Sequence, residues 1–297
     1  MTLFDARFRK CAAYLADEGQ RVWGARFLGR RLDRRWAGGS EFVGHADYTS
    51  GDDFRAVDWQ LCARTDELRT RQYRGSEDRV VDVLVDCSAG MQLGTPVKFD
   101  VARQLAGALA AMALSGLDRV GLAGVTDRVL VERRAARGRS QLPGLLRFLE
   151  GLSVQPEGVD LGAVVDAFVR RRPHRGLLIL ISDFFDPAGF EGAVDQLVAR
   201  GFQPYLLQVI DAGEAEPVLS GPVQLYDVGR GNTRSVVLDG ADLRNYRQVW
   251  REFHAGCLRF CARRGIGWHQ TRTAVPIEQA VLAMIRTATR RMRAGWR

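Results

Sequence analysis

From residue 79 onward the sequence alternates short apolar or β-branched runs with longer stretches of helical periodicity. Few folds accommodate that rhythm other than a parallel sheet whose crossovers are helices. Residues 80–85 form an apolar run broken only by Asp82, as in a strand buried on both faces, and the run ends at Asp86. Residues 98–114 follow with Ala102, Leu105, Leu109 and Met112 at helical spacing, and many alanines allow close packing on a sheet. Residues 119–126 and 129–134 read as strands whose connection is too short for a crossover helix, so they should pair antiparallel.

Helices are expected over 141–152 and 160–171, followed by a second fully apolar run, 177–181, that ends in Ser182 and Asp183. A helix over 190–200 closed by Gly201, a strand over 204–210, and a hairpin of 223–227 with 235–238 come next. A long amphipathic helix (243–263), a strand (267–273) and a helix opened by Pro276 (276–293) complete the pattern. Residues 1–78 break the rhythm. They hold a helix over 5–16, an arginine-rich stretch and the aromatics Trp23, Trp36, Phe42, Tyr48, Trp59 and Tyr73, which supply surface to bury. The expected organisation is a less regular N-terminal subdomain (1–78) and an α/β domain (79–297) with a hairpin insertion near 223–239.

Hydrophobic residues are 46% and charged residues 26%, which excludes a disordered chain, and no apolar stretch approaches the roughly 20 residues of a membrane span. The N-terminal segment carries charges within its apolar stretch, unlike a signal peptide. Five scattered cysteines, Cys11, Cys62, Cys87, Cys257 and Cys261, form no disulfide framework, so a cytoplasmic location is expected. The net charge of +8 invites a nucleic-acid partner, but no nucleic-acid-binding motif accompanies it. Of the 43 basic residues only Lys10 and Lys98 are lysines, a skew that follows from genome composition, and nucleic acid is not an expected partner.

Ligands of open parallel sheets sit beyond the carboxyl ends of the strands. Two such ends carry aspartates: Asp86-Cys87-Ser88-Ala89-Gly90 after the first buried strand, and Asp183 after the second. An apolar strand, a DxSxx loop, a helix and a later strand ending in SD resemble a von Willebrand factor A domain. The resemblance implies a Rossmann-like sheet, mostly parallel and covered by helices on both faces. It also implies a degenerate metal-ion-dependent adhesion site in which Asp86, Ser88 and Asp183 would hold Mg²⁺, a hard cation that prefers oxygen ligands. Gly90 stands where that pattern has a second serine, and Val159 where it has a threonine, so two side-chain oxygens are missing. The competing reading is that Asp86 caps the turn and Ser88 bonds to backbone N–H groups beyond it.

Upstream, residues 48–59 read Tyr-Thr-Ser-Gly-Asp-Asp-Phe-Arg-Ala-Val-Asp-Trp and are followed by Ala63-Arg64. This resembles the signature of the bacterial family called domain of unknown function 58, with Ala46 and Ser50 departing from its arginine and proline. The resemblance implies that a von Willebrand factor A-like domain follows, and it implies partnership with a MoxR-type AAA+ ATPase in chaperone-like complex assembly. Asp52, Asp53, Arg55, Asp58 and Trp59 are then candidate partner-binding residues, with Trp59 as a buried anchor. The alternative is a polar network that fastens the subdomain to the sheet.

His254, Cys257 and Cys261 share a helical face, but one helix does not close a tetrahedral metal site and Phe253, Leu258 and Phe260 surround them, so core packing is expected. No nucleophile-elbow, zinc-protease or phosphate-loop string occurs. The expected function is a non-enzymatic protein-binding adaptor that docks through Asp86, Ser88, Gly90 and Asp183, with no cofactor or with Mg²⁺ at the degenerate site. The alternative is a Mg²⁺-dependent phosphoryl-transfer or nucleic-acid-acting enzyme using Asp86, Asp183 and Asp160.

Overall fold

The computed structural model describes residues 2–22, 35–36, 41–49, 54–74, 80–172, 175–228 and 231–294. The chain divides into two compact units, one of Met1–Phe27 with Arg79–Arg297 and one of Leu28–Asp78. Helix α1 (Ala6–Val22) belongs to the first. The smaller unit holds β1 (Arg35–Trp36), β2 (Glu41–Asp47), α2 (Trp59–Thr65) and β3 (Arg69–Arg74), with the strands antiparallel in the order β1-β3-β2.

The larger unit continues with β4 (Val80–Asp86), α3 (Lys98–Ser115), β5 (Arg119–Val125), β6 (Val129–Arg137), α4 (Leu142–Glu150), α5 (Leu161–Arg171), β7 (Leu177–Ser182), α6 (Glu191–Ala199) and β8 (Gln203–Ile210). It ends with α7 (Ala212–Ala215), β9 (Gly221–Tyr226), β10 (Thr233–Leu238), α8 (Gly240–Arg263), β11 (Gly267–Arg272) and α9 (Ile277–Ala294). Six strands form one sheet in the order β11-β8-β7-β4-β5-β6, parallel throughout except for β6, which pairs antiparallel with β5. The β9–β10 hairpin forms its own two-stranded sheet.

Alternation along the central strands assigns the two faces. Leu84, Leu178, Leu180, Leu206 and Trp268 share a core with Val164, Phe168, Val194, Leu197 and Cys257 of α5, α6 and α8. Val83, Val85, Ile179, Ile181 and Leu207 point the other way, toward α3, which contacts β4, β5, β7 and β8 and contributes nothing to that core. Cys257 and Cys261 are buried core thiols, as the phenylalanines around them suggested, and burial pushes the Cys257 thiol up to about 12.

Two expectations are corrected. The first helix does not belong with the N-terminal subdomain: Phe4 and Phe8 pack on Gly107 of α3, where an added Cβ would lie 3.1 Å from Phe4 and 3.0 Å from Leu146 of α4. Nor is Trp59 a buried anchor. It is 62% exposed at the start of α2, a helix that has no buried residue. Trp23 lies outside the described residues, as do the side chains of Trp36, Phe42 and Tyr73.

A buried carboxylate at the strand edge

Strands β4 and β7 are parallel neighbours, so Asp86 and Asp183 emerge on the same edge of the sheet. After β4 the chain runs outward to β5 and β6, then returns to β7 on the other side and continues to β8 and β11. The two aspartates therefore flank the point where the order of the strands reverses, the place where open α/β sheets leave a crevice.

Asp86 is fully buried. Its Oδ1 accepts from the Ser88 backbone N–H (2.8 Å) and its Oδ2 from the Ser182 hydroxyl (2.5 Å). Burial, with the neighbouring Asp183 charge adding to it, pushes the Asp86 carboxyl up to about 6 against the pull of these hydrogen bonds. Ser182 Oγ accepts in turn from the Phe184 N–H (2.9 Å). Phe184 has φ 62°, a left-handed conformation that costs a phenylalanine on the order of 1–3 kcal/mol and turns the chain sharply beyond the site. The Ser88 hydroxyl makes no capping bond to the turn that follows and hydrogen-bonds to Asp86 instead, so only the Asp86 half of the capping alternative describes the loop.

Asp183 Oδ1 accepts from the Phe185 N–H (3.1 Å), and its backbone carbonyl accepts from Gln208 Nε2 (2.9 Å). Its Oδ2 accepts from Lys98 Nζ at 2.8 Å. Lys98, the first residue of α3, is fully buried and also pairs with Glu214 Oε1 of α7. Burial opposes the lysine charge, but Asp183 and Glu214 more than offset it and hold the ammonium above its usual range. Glu214 Oε2 accepts from the Asp211 N–H (2.9 Å), and Asp211 Oδ2 accepts from Thr95 N–H (3.1 Å) and Thr273 Oγ1 (3.0 Å). One charge network thus joins the chain beyond β4, β7, β8 and β11.

The structure brings Asp86, Ser88, Gly90 and Asp183 together. A Cβ on Gly90 would sit 3.1 Å from Asp183 Oδ2, so glycine leaves this carboxylate room. Val159 is buried in the core, and Asp160 caps α5 through the Ala163 N–H (2.9 Å) instead of joining the other carboxylates. These residues do not fit a divalent cation. Asp86 is engaged by Ser182 and Ser88, Asp183 carries an ammonium, and Gly90 and Val159 offer no oxygen. Among the described residues, no group of three or more His, Cys, Asp or Glu side chains is placed to hold a metal ion.

Lys98, Ser182 and Glu214 were missed from sequence. Lys98 had a signal, since it is one of two lysines in an arginine-rich chain. Glu214 had none. Beside this network Phe185, 42% exposed, meets Trp250 and Phe253 of α8 at ring-centroid distances of 5.5 and 5.6 Å, and Trp250 stacks with Tyr246.

In the smaller unit, Asp58 caps α2 through the Gln60 and Leu61 N–H groups (3.2 Å each). It also receives His45 Nε2 (2.8 Å), Arg71 Nε (2.9 Å) and Arg71 Nη2 (2.9 Å). Arg71 first and His45 second hold its carboxyl well below the usual carboxylate range. Asp52 and Asp53 lie outside the described residues, as does the side chain of Arg55, whose backbone lies in the 3₁₀ turn Phe54–Ala56.

A helix-flanked, mostly parallel sheet with a buried, charge-paired site at its reversal point defines a mixed α/β protein. The chain belongs to the family described as Protein of unknown function DUF58, whose pattern matches residues 45–254. Similar relatives include Uncharacterized protein Rv1480 of Mycobacterium tuberculosis and Uncharacterized protein Mb1516 of Mycobacterium bovis. Each is 30% identical over 198 residues, which are 65% of this chain and 62% of the relative. The chain thus spans less than two thirds of the length of these curated relatives.

Among solved structures, the conserved hypothetical protein BatB from Bacteroides thetaiotaomicron is 16% identical with a TM-score of 0.45, covering 71% of this chain and 99% of that one. An aerotolerance-related membrane protein from Bacteroides fragilis is 18% identical with the same TM-score and coverage. No helix among the described residues is long and apolar enough to cross a membrane.

Proposed function

We propose that this chain is a cytoplasmic, non-enzymatic protein-binding adaptor whose larger unit is a Rossmann-like domain of the von Willebrand factor A type. It docks its partner over the strand edge formed by Asp86, Ser88, Gly90 and Asp183. The observation that carries this reading is the aromatic group of Phe185 and Tyr246, both exposed, with the half-buried Trp250 between them, beside a carboxylate set already satisfied from within the protein. Clustered aromatic side chains are the usual anchors of protein interfaces, whereas a catalytic edge needs charge left available to substrate. In the smaller unit, Phe54 and Trp59 present a second exposed aromatic surface next to the Asp58 cluster. The partner that follows from the family resemblance is a MoxR-type AAA+ ATPase, in complex assembly or maturation.

The test is co-purification of the intact protein with such an ATPase from the same source, set beside the double variant Phe185→Ala/Trp250→Ala. Loss of two anchors should lower affinity by roughly tenfold or more. Equal retention of the variant places the contact elsewhere, and failure to retain the ATPase on the wild-type protein removes it as the partner.

A further inference from the structure

We infer that the Lys98 ammonium is a tethered cation that occupies the strand edge in place of a divalent metal ion. Lys98 opens α3, and a cation at a helix N-terminus works against the helix dipole by about 0.3–1 kcal/mol. It is fully buried there, which adds a desolvation penalty that only close anionic partners offset. Its two carboxylate partners come from separate elements, Asp183 after β7 and Glu214 in α7 after β8, so the ammonium cross-links the connections around the reversal point much as a metal ion would.

The residue type points the same way. The chain meets its need for positive charge with arginine nearly everywhere, yet this site uses one of its two lysines. An arginine is a broad planar fork, whereas an ammonium is a compact point charge, closer in shape to an ion. Gly90, with no side chain beside Asp183 Oδ2, supplies no competing ligand and leaves that oxygen to Lys98. The ammonium therefore bridges two of the strand-edge carboxylates without any ion from solution, and the order of the edge does not depend on divalent cations. This inference does not depend on the identity of any partner, and its failure would leave the adaptor reading standing.

Removing the amine should create the metal site. The intact protein and its Lys98→Ala, Lys98→Arg and Lys98→Ala/Asp183→Asn variants are titrated with Mn²⁺ to millimolar concentration. Bound ion is followed by loss of the free Mn²⁺ electron-spin signal, and melting temperature is recorded with and without Mn²⁺. The wild type and Lys98→Arg are expected to bind no Mn²⁺ saturably and to melt unchanged. Lys98→Ala is expected to bind one ion and to gain several degrees on adding it, since a ligand that binds only the folded state stabilises it. The double variant should lose that binding.

Saturable binding to the wild type would overturn the inference, as would a folded Lys98→Ala protein that ignores Mn²⁺. If Lys98→Ala does not fold alone, Mn²⁺ must restore its cooperative melting, and failure to do so also overturns it.

Discussion

Asp58 in the smaller unit and Asp86 in the larger one are both single carboxylates at the end of an extended segment, both bonded to backbone N–H groups just downstream, yet their electrostatics are opposite. Asp58 lies at shallow depth and is gripped by Arg71 and His45, which themselves reach solvent, so it is held charged. Asp86 has only the Ser182 and Ser88 hydroxyls and the Ser88 N–H for company, in a fully buried site with a second carboxylate nearby, so it is pushed toward its neutral form. The presence of hydrogen bonds does not decide a carboxylate's charge. What decides it is whether a cation lies among the donors and whether water reaches the group.

The largest expected effect that sharpens this comparison is on stability. Asp183→Ala strips the buried Lys98 of the more deeply buried of its two carboxylate partners and should cost about 3–5 kcal/mol in urea unfolding, because Glu214 alone is left to compensate a buried charge. Asp58→Ala should cost less, since His45 and Arg71 can turn to water. Equal losses would break the contrast between the two regions.

The next effect is the dependence on pH, where the two regions should move in opposite senses. The raised carboxyls of Asp86 and Asp82, each at about 6, contribute stability that is present below the unfolded carboxylate value near 3.9. That stability is lost as pH rises through about 6. Burial in β4 raises Asp82, and Arg172 only partly counters it. Asp82→Asn should flatten the fall between pH 4 and 6 by about 3 kcal/mol, measured as denaturant midpoints across that range. The lowered carboxyl of Asp58 contributes stability above pH ~4 that disappears on acidification. A Trp fluorescence change in the smaller unit that tracked the larger unit's fall toward pH 6 would contradict that assignment.

The smallest expected effect is at Trp59. Trp59→Ala should shift unfolding free energy by less than about 0.5 kcal/mol, as for a surface residue without a packing role. A loss of several kcal/mol would show that the side chain is covered in solution.

The central sheet was legible because β4 and β7 are nearly uninterrupted apolar runs, a pattern set by burial on two faces and independent of distant sequence. The small sheet was not, because β2 and β3 mix charge and glycine (Glu-Phe-Val-Gly-His-Ala-Asp and Arg-Thr-Arg-Gln-Tyr-Arg) without clean alternation. At the site, the carboxyl ends of strands announced Asp86 and Asp183, while their partners escaped notice. Ser182 looked like the last residue of a strand, Lys98 like the start of a packing helix, and Glu214 belongs to a four-residue helix that no periodicity reveals. Periodicity also cannot say which distant helix another will meet, which is why α1 was grouped with its neighbours in sequence.

The pairing of α1 with α3 has a consequence for synthesis. About 80 residues separate the two helices, and at roughly 5–20 residues per second the ribosome takes on the order of ten seconds to deliver the second after the first. Throughout that interval Phe4, Phe8, Ala12 and Leu15, all buried in the finished protein, have no surface to cover them. Until α3 emerges the nascent chain carries an unpartnered apolar helix face, and a holding chaperone would find a grip there.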